Sequence, residues 1–500
     1  MDKPIAFVET PEPIADLMIE LISDDKKADK NISILDSGTG KGIFVDRLTK
    51  AGYRNITGIE LDKELFQYSK TKFPNLDFQN LDYLSWITNS KYDLIIGNPP
   101  YCHFNSLPKQ MKIEVSEIVG NKESDIYYGF IMKSIDLLKS GGELIYIVPY
   151  GFFFNTYAKV VREKLKSEGF IEVIIDLDET RLFEGENPET IIFKFIKTNQ
   201  RNSSQMKVLR IKDRNLNPKK IRTEVCNVLN TKTSSLIFDY HTKEMFSDEN
   251  IIWTTYPEKK INNYYFLKDV AWIGVGLVSG FEKAFTISKE EKQLLNEEEN
   301  KLLFKCIKAK HCRGFWTEGF TEYILIDDRI STENELKEKY PFIYKKLVEF
   351  KTSMSVRYLP ENKQWFHWQA LRNIEKFKKF KNHPKIFVPN LDRSTTNRFS
   401  MSIQTVYPSG DVLTIVPLEK DPYFLLGYLN SHFFRDYYLS AGARRGHRIS
   451  FTQRIMANIK IPKFDEKIEE KISKIAKEIF DGKKISLRAK LNDLVLENID

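Results

Sequence analysis

Hydrophobic residues in the first 200 positions alternate between two spacings. Short continuous apolar runs, typical of buried strands, predict seven strands, at residues 32–35, 56–59, 76–78, 93–96, 143–148, 173–176 and 191–196. Apolar residues three or four positions apart predict helices at residues 13–24, 43–48, 63–70, 126–138 and 160–166. Strands that alternate with helices form a parallel sheet with helices on both faces. The pattern therefore predicts an α/β fold with a mostly parallel, seven-stranded sheet in residues 1–200.

The pattern changes near residue 198. A polar stretch at residues 198–205 predicts a linker, and beyond it short aromatic-rich runs mix with basic helices such as residues 373–381. Helical spacing returns near the C-terminus, at residues 424–438 and 468–480. We therefore expect a first domain at residues 1–200, an α+β domain at residues 201–420 and a helical C-terminal part at residues 421–500.

Composition narrows the class of protein. The chain has 500 residues, of which 41% are hydrophobic, enough for two or three domain cores. No apolar stretch approaches the roughly 18 residues that span a bilayer, and residues 1–4 begin no signal peptide. The four cysteines are scattered, without the paired spacing of a metal site. We therefore expect a cytoplasmic protein with free thiols, no metal ion and no membrane contact.

Charge is distributed unevenly along the chain. Residues 1–200 contain 24 Lys and Arg against 31 Asp and Glu, whereas residues 201–500 contain 53 against 38. An excess of positive charge in one part of a chain indicates a polyanionic partner. The alternative is a lysine-rich surface without a specific partner.

Glycines and acids follow the first three predicted strands. The turn at residues 36–42 (DSGTGKG) joins a strand to a helix, and its glycines let a ligand approach the backbone closely. Glu60 ends the second strand, where an acid usually binds both hydroxyls of a ribose. Asp82 follows the third strand, where it can accept a hydrogen bond from an adenine amino group. Together these residues predict a nucleoside at the carboxyl edge of the sheet.

A segment that we call the NPPY segment, Asn98-Pro99-Pro100-Tyr101, follows the fourth predicted strand. Because proline has no backbone N–H, the strand must end here, at the edge where α/β sheets bind ligands. The side-chain oxygen of Asn98 and the carbonyl of Pro99 can together accept both protons of one amino group. Tyr101 can cover a planar ring. The segment therefore predicts methylation of an amino nitrogen, on adenine, cytosine or a glutamine amide.

The order of these motifs resembles a known family. Residues 8–11 (VETP), the 36–42 turn, Glu60, Asp82-Tyr83 and the NPPY segment follow one another as in S-adenosylmethionine-dependent DNA amino-methyltransferases of the gamma type. Within that group the chain is similar to Taq-type N6-adenine methyltransferases of restriction–modification systems. The resemblance is specific across residues 5–200 and looser beyond them, where residues 272–285 and 429–431 are similar to target-recognition domains. It implies a Rossmann-like methyltransferase domain followed by a DNA-recognition domain.

The resemblance also implies a role for individual residues. Thr10 and the 36–42 turn, with Asp36, Gly38 and Gly40, would hold the methionine end of S-adenosylmethionine. Glu60 would bind the ribose, Asp82 the adenine amino group, and Tyr83 and Phe130 would pack on the adenosine. Asn98, Pro99 and Tyr101 would be the catalytic residues. The turn departs from the family's commoner version, which often has proline and cysteine or alanine after the aspartate, where Ser37 and Thr39 stand here.

An adenine inside a duplex cannot reach such a pocket unless it is flipped out. The resemblance implies that Tyr101 and Phe183 stack on the two faces of the flipped base, each contributing about 1–3 kcal/mol. The alternative for Phe183 is a core aromatic in a β-hairpin. Seven basic residues are candidates for DNA binding, namely Arg372, Lys376, Lys379, Arg393, Arg398, Arg444 and Arg445. The alternative for any one of these lysines is a solvated helix face.

Three other functions compete with DNA methylation. A protein-glutamine N5-methyltransferase or a ribosomal-RNA amino-methyltransferase would use the same NPPY pocket, but the glutamine enzymes resemble shorter chains with a small preceding helical domain. A DNA-binding protein with a decayed methylase domain would not need Asn98, Glu60 and Asp82 intact. We therefore predict an adenine-specific DNA methyltransferase of the prokaryotic cytoplasm. We expect a monomer that acts on double-stranded DNA, with any cognate restriction endonuclease as a separate protein.

Overall fold

The computed structural model describes residues 8–102, 104–120, 124–183, 188–199, 205–244, 253–441, 443–445 and 448–499. The chain folds into two compact units, residues 1–258 and 259–500. Within the described ranges, no helix is both long enough and apolar enough to cross a membrane. The first unit ends at residue 258, and so it extends beyond the domain boundary that the sequence predicted near residue 200.

One sheet organises the first unit. Its nine strands are β1 (Ile34–Asp36), β2 (Ile56–Glu60), β3 (Asp77–Asn80), β4 (Tyr92–Gly97), β5 (Leu138–Pro149), β6 (Gly169–Asp178), β7 (Thr190–Lys197), β8 (Gln205–Ile211) and β9 (Phe238–Glu244). They lie in the order β3-β2-β1-β4-β5-β7-β6-β8-β9. The first five strands in this order are parallel, β7 is antiparallel to both of its neighbours, β8 is parallel to β6, and β9 is antiparallel to β8. The prediction of a mostly parallel sheet is confirmed, and the seven strands predicted in residues 1–200 correspond to β1–β7. The described sheet is larger than predicted, because β8 and β9 join it from beyond residue 200.

Helices cover both faces of this sheet. They are α1 (Glu12–Glu20), α2 (Asp24–Ala28), α3 (Ile43–Lys50), α4 (Lys63–Lys72), α5 (Lys109–Val119), α6 (Ile126–Leu137), α7 (Lys159–Glu168) and α8 (Pro218–Thr231). Strand residues alternate between the faces, so Ile145 and Ile147 of β5 join the core formed with α1, α3 and α8, while Leu144 and Tyr146 join the core formed with α6 and α7. Because both faces are buried, the strands read as continuous apolar runs in the sequence.

The register of the parallel strands brings the predicted site residues to one edge. Asp36, the last residue of β1, pairs with Gly58 of β2 and with Ile96 of β4. Glu60 is the last residue of β2, and the NPPY segment begins directly after β4. Since parallel strands all end at the same edge, the turn, the acid and the NPPY segment meet there.

The second unit mixes helices with short, mostly antiparallel strands. Its strands are β10 (Tyr264–Phe266), β11 (Ala271–Val275), β12 (Leu303–Ile307), β13 (Phe315–Trp316), β14 (Thr321–Ile324), β15 (Lys385–Pro389), β16 (Leu391–Asp392), β17 (Ser400–Ser402), β18 (Tyr407–Pro408), β19 (Val412–Pro417), β20 (Ala443–Arg445), β21 (Arg448–Ser450) and β22 (Lys460–Pro462). They form a five-stranded sheet (β11-β19-β15-β17-β13), two three-stranded sheets (β14-β12-β18 and β16-β21-β20) and the pair β10-β22.

Thirteen helices complete the described part of the second unit. They are α9 (Leu267–Val270), α10 (Glu282–Phe285), α11 (Lys289–Lys292), α12 (Glu297–Asn300), α13 (Glu333–Lys339), α14 (Pro341–Val348), α15 (Lys351–Ser355), α16 (Ile374–Lys379), α17 (Pro422–Leu429), α18 (His432–Ala441), α19 (Gln453–Ala457), α20 (Glu466–Gly482) and α21 (Arg488–Leu496). The longest helix, α20, buries Ile472, Ala476 and Ile479 in the same core as α17. Residues 421–500 are therefore mainly helical, although they also contain β20, β21 and β22.

Candidate functional site

A cavity of about 580 Å³ opens at the carboxyl edge of the first unit's sheet. Nine of the residues singled out in the sequence line it, namely Thr10, Gly38, Glu60, Asp82, Tyr83, Asn98, Pro99, Tyr101 and Phe130. Two others, Asp36 and Gly40, are not on its wall. The cavity lies within the usual size range of small-molecule sites, which is about 300–1,000 Å³.

Left-handed glycines shape the turn at residues 36–42. Gly40 has φ 55° and Gly42 has φ 77°, a region that residues with a side chain rarely adopt. Thr39 fixes the turn to β2, because its amide and its hydroxyl both donate to the carbonyl of Ile59, at 2.9 and 3.1 Å. A Cβ placed on Gly38 would meet no atom within 4 Å. The absence of a side chain there leaves open space beside the backbone of the turn.

Glu60 is held in place by backbone amides. Its two carboxylate oxygens accept from Gly40 N at 2.7 Å and from Asp62 N at 2.9 Å. Burial raises the pKa of this carboxyl, and the same amides oppose that shift. A carboxylate has about four lone-pair positions, so these amides do not use all of its capacity to accept from a ligand. Gly40, which was expected to contact the cofactor, orients the acid that was expected to bind the ribose.

Asp82 lies with two aromatic rings at another part of the cavity wall. Its Oδ1 accepts from Leu84 N at 2.8 Å. Burial raises the pKa of the Asp82 carboxyl, and the nearby Glu114 carboxylate adds to the shift. The rings of Tyr83 and Phe130 lie 4.8 Å apart between centroids and are tilted by 36°. An acceptor beside two apolar rings suits a flat heterocycle with an amino group.

Asp36 is completely buried beneath the turn. In the described residues, neither carboxylate oxygen of Asp36 has a hydrogen-bond partner. Burial raises the pKa of this carboxyl to about 8, against the opposing effect of the Gly38 amide. A buried carboxyl with this pKa is poised between its neutral and charged forms near neutral pH.

The Asn98 carboxamide is fixed in one orientation. Its Nδ2 donates to the Val8 carbonyl at 3.3 Å and to Thr10 Oγ1 at 3.1 Å. Because the Val8 carbonyl can only accept, the NH2 group must face it, which leaves Oδ1 on the other side. In the described structure Oδ1 is buried and has no hydrogen-bond partner. Thr10, expected to hold the methionine end of a cofactor, therefore also orients Asn98.

The two aromatic residues expected to stack on a base lie in different surroundings. Tyr101 lines the cavity, and its hydroxyl donates to the Ile147 carbonyl at 2.9 Å, which fixes the ring. Burial raises the pKa of this phenol well above its usual range. Phe183 is 6% exposed, packs in the core with residues such as Ile145, and is not among the cavity's lining residues. The structure therefore brings Tyr101 to the site but not Phe183.

The basic candidates of the second unit fall into two groups. Arg372, Lys376, Lys379 and Arg393 are exposed and form no ion pair in the described structure. Arg398 pairs through Nε with the fully buried Asp392 at 3.0 Å, and Arg444 is 5% exposed on β20. The side chain of Arg445 lies outside the described residues. Arg444 thus has little exposed surface for a groove contact, and the Arg398 guanidinium, although partly exposed, is engaged by Asp392.

The two segments noted for their similarity to recognition domains are structural elements of the second unit. Residues 272–285 include most of β11 and all of α10. Asn430 is fully buried, and its carboxamide donates to the carbonyls of Phe399 and Leu426 and accepts from Phe399 N. The Asn430 carboxamide therefore ties the C-terminal end of α17 to Phe399, the residue before β17.

Sequence reasoning missed a set of hydroxyls next to the cavity. Ser134 of α6 and Tyr146 of β5 are both completely buried, and Tyr146 OH lies 2.5 Å from Ser37 Oγ. The only signal available was a hydroxyl inside an otherwise apolar run, since Tyr146 interrupts Leu144-Ile145 and Ile147-Val148. A buried hydroxyl must find a partner, but the sequence does not say where.

Comparison with known proteins gives consistent results. A profile of the Eco57I restriction-modification methylase family matches residues 21–183. The type II methyltransferase M.MjaIV of Methanocaldococcus jannaschii is 51% identical over 45% of this chain and 77% of its own length. The type II methyltransferase M.HindII of Haemophilus influenzae is 29% identical over 97% of this chain and 95% of its own length.

A similar fold occurs among solved structures. The type IIL restriction-modification enzyme MmeI, solved in complex with DNA, has a TM-score of 0.65 at 11% identity. The match covers 97% of this chain and 72% of the MmeI chain. At this level of identity the likeness concerns the fold alone, and it extends over both units.

Proposed function

Since the chain belongs to the type II DNA methyltransferases of restriction–modification systems, we propose that it methylates N6 of an adenine flipped out of duplex DNA. The DNA methyltransferase activity and the use of S-adenosylmethionine follow from the family. The choice of adenine, the flipped state and the residues that act on the base are the proposal.

The residues of the cavity fit S-adenosylmethionine. The space beside Gly38, the carboxylate of Glu60 and the Asp82–Tyr83–Phe130 group provide room for a chain, an acceptor for hydroxyls and a place for a purine. When bound, this cofactor supplies an electrophilic methyl group on a sulfonium. Within this proposal, Glu60 binds the ribose hydroxyls, Asp82 accepts from the adenine amino group, and Tyr83 and Phe130 pack against the adenosine.

The buried, unpartnered Oδ1 of Asn98 is the observation that carries the proposal. A buried acceptor without a partner costs about 1–3 kcal/mol, so its persistence in a cavity indicates a donor supplied by a ligand. The Pro99 carbonyl is the second acceptor of the segment, and an exocyclic amino group has two protons to donate. Hydrogen bonds to both protons would localise the nitrogen lone pair, which is otherwise delocalised into the ring.

These acceptors would also stabilise the reaction as it proceeds. Positive charge develops on the amino nitrogen as the methyl arrives, and Asn98 Oδ1 and the Pro99 carbonyl present negative ends of dipoles to it. The nitrogen's proton becomes acidic once the methyl is attached, so no strong general base is required. Thr10 and Val8 contribute by keeping the Asn98 amide from turning its NH2 toward the base.

Tyr101 is the residue that we propose to stack on the flipped base. Its ring is anchored by the hydrogen bond to Ile147, so little side-chain entropy remains to be lost when a base binds. Stacking contributes about 1–3 kcal/mol, which offsets much of the few kcal/mol that flipping costs. The side chain of Phe183 would have to leave the core to join it, so the proposal rests on Tyr101.

We propose that the exposed residues Arg372, Lys376, Lys379 and Arg393 of the second unit contact DNA phosphates. They are basic, exposed and unpaired in the described structure, and an accessible positive charge is sufficient for a phosphate contact.

The proposal also includes a monomeric enzyme and a separate cognate endonuclease. Sedimentation of the protein with and without DNA tests the oligomeric state, and a dimer in both conditions would contradict it.

Labelled cofactor tests the class of substrate. The purified protein is incubated with S-adenosylmethionine that carries a labelled methyl group and, separately, with unmethylated genomic DNA, ribosomal RNA or a peptide-release factor. We expect label in DNA only. Label confined to RNA or protein would contradict the proposal and would favour the alternatives that share the NPPY pocket.

Fluorescence tests base flipping. DNA with 2-aminopurine at the target position becomes brighter when that base leaves the stack. We expect the signal to rise on binding, and we expect Tyr101→Ala to change it because the stacking partner is lost. An unchanged signal in both proteins would contradict flipping. Tyr53→Phe, which alters a buried tyrosine whose hydroxyl bonds the Lys26 carbonyl, is the matched control.

A further inference from the structure

The hydrogen bond from Tyr101 to Ile147 fixes where the Tyr101 ring lies, but not how the ring is rotated. The backbone of the NPPY segment holds one end of the side chain, and the hydroxyl at the other end donates to the Ile147 carbonyl at 2.9 Å. The long axis of the ring runs between these two points. Rotation about that axis, the χ2 torsion, leaves both ends in place and is only broadly restricted by the side chain itself. A second contact must therefore set the direction in which the faces of the ring point.

Tyr127, in the first turn of α6, makes such a contact. The ring centroids of Tyr101 and Tyr127 lie 6.3 Å apart, and the ring planes are inclined by 75°. This edge-to-face arrangement is one that aromatic pairs prefer. Tyr101 lines the cavity and Tyr127 does not, so Tyr127 meets the Tyr101 ring on the side away from the cavity. The cavity side of the Tyr101 ring is left for a ligand.

Tyr127 is itself held in one orientation. Its side chain is 2% exposed, and its ring centroid lies 4.5 Å from that of Tyr128, with the planes inclined by 63°. Tyr128 is 1% exposed, and its hydroxyl accepts from Asn155 Nδ2 at 3.1 Å. A ring in such closely packed surroundings cannot turn unless its neighbours move. Tyr127 therefore offers Tyr101 a fixed surface.

We infer that Tyr127 is a positioning residue, which sets the rotation at which the Tyr101 ring meets a flipped base. The inference rests on the proposed stacking role of Tyr101 and adds a residue that does not touch the base. Stacking requires that the two ring planes be parallel, so it depends on the rotation of the Tyr101 ring as well as on its place. A ring already held at the right rotation loses less freedom when the base binds.

Two DNA duplexes separate this role from general support of the fold. Mapping of the labelled methyl groups gives the target position, and a duplex is then made with either adenine or an abasic residue there. The abasic duplex offers the same phosphates but no base to stack. Binding of both is measured with saturating S-adenosylhomocysteine.

Tyr127→Leu should weaken binding of the adenine duplex by about two- to tenfold, the contribution expected of one aromatic pair. Binding of the abasic duplex should stay within about twofold, since no base is present to stack. Tyr127→Phe keeps the ring and is the matched control, which should bind both duplexes as the unmodified protein does.

Variants of Tyr101 test whether Tyr127 acts through that residue. Tyr101→Ala should weaken binding of the adenine duplex by about five- to hundredfold, as expected for the loss of one stacking ring. The double variant with Tyr127→Leu should bind that duplex no more weakly than Tyr101→Ala alone, because both changes act through one ring. Tyr101→Phe loses the hydrogen bond to Ile147 but keeps the contact with Tyr127, so it should bind the adenine duplex more tightly than Tyr101→Ala does.

The outcomes distinguish a failure of this inference from a failure of the proposed function. Unchanged binding of the adenine duplex by Tyr101→Ala would remove the stacking role, and the inference with it. If Tyr101→Ala weakens binding and Tyr127→Leu does not, stacking stands and the positioning role is wrong. Equal weakening of both duplexes by Tyr127→Leu would mean that Tyr127 only supports the fold, and additive losses in the double variant would mean that it acts independently of Tyr101.

Melting temperatures show whether Tyr127→Leu is folded. If it is not, Tyr101→Phe decides the question by itself. Binding of the adenine duplex by Tyr101→Phe as weak as that by Tyr101→Ala would mean that the hydrogen bond to Ile147 is the anchor of the ring, and it would overturn the inference. Tighter binding than by Tyr101→Ala would support it.

Discussion

The polar residues of the first unit's cavity hold one another in place, whereas the exposed basic residues of the second unit do not. Thr10 orients Asn98, Gly40 holds Glu60, and Tyr146 meets Ser37. Lys376 and Lys379 stand on α16 without an ion pair in the described structure. A site of the first kind is preorganised, so a single change should remove one specific function. Contacts of the second kind are electrostatic, and their losses should be small and roughly additive.

Loss of the Asn98 acceptor should have the largest effect. Asn98→Ala removes an acceptor whose interaction with the amino nitrogen strengthens as positive charge develops on that nitrogen during methyl transfer. We therefore expect kcat to fall by about 10²–10³-fold. Asn98→Asp, which keeps an oxygen in the same place, should retain part of the activity. The affinity for S-adenosylmethionine should change little in either variant. An equal loss of cofactor affinity would place Asn98 in cofactor binding and not in catalysis.

Arg398→Gln should destabilise the second unit and not simply weaken DNA binding. Asp392 is completely buried, and Arg398 is its ion-pair partner at 3.0 Å. Removing the partner leaves a buried carboxylate with the Ser394 amide as its remaining donor, which should cost about 3 kcal/mol of unfolding free energy. Denaturant titration measures this cost. Lys379→Gln is the matched control and should leave the unfolding midpoint unchanged.

Asp36→Asn should change how stability depends on pH. The carboxyl titrates near 3.8 in the unfolded chain but at about 8 in the folded protein, so the unfolded state binds fewer protons between these values. Its contribution is favourable below pH 4 and is lost as the pH rises toward 8. Without cofactor, the variant should match the unmodified protein near pH 4, and its advantage in unfolding free energy should grow steadily as the pH rises toward 8.

Thermal unfolding at several pH values checks this prediction. Asp24→Asn, a change at an aspartate whose side chain is fully exposed, should produce no such divergence. Parallel curves for Asp36→Asn and the unmodified protein would mean that Asp36 is ionised in the folded protein and has a partner there.

Lys376→Gln and Lys379→Gln should have the smallest effects. Each should weaken DNA binding by a few-fold, for all sequences alike, and lower the slope of log affinity against log salt by about one. Lys474→Gln on α20, an exposed lysine outside the proposed set, is the control. If it lowered the slope equally, binding would depend on net charge and not on these lysines.

Strand-end motifs could be predicted from the sequence because the backbone determines where they lie. Parallel strands share one carboxyl edge, so the spacing that placed Glu60 and Asn98 after strands also placed them together. The alternation of strands and helices through residue 197 could likewise be predicted from the spacing of apolar residues. The strands β8 and β9 were not predicted, because their apolar residues alternate with polar and charged ones. They also come after the polar stretch at residues 198–205, which was predicted to be a linker.

Side-chain surroundings were harder to predict. Phe183 has the spacing of a stacking aromatic, but spacing does not show whether a ring packs into the core or faces a ligand. Arg444 was a candidate for DNA binding, yet it lies on β20, which pairs with β21, and its side chain is buried. Partners such as Ser134 and Tyr146 lie in distant elements, and only the fold brings their hydroxyls together.

The identity of the methylated nucleoside tests the central claim most directly. Unmethylated DNA is treated with the protein and S-adenosylmethionine, digested to nucleosides and examined by mass spectrometry. We expect N6-methyldeoxyadenosine from the unmodified protein and about 10²–10³-fold less in the same time from Asn98→Ala. Methylated deoxycytidine in place of N6-methyldeoxyadenosine, or undiminished product from Asn98→Ala, would contradict the account.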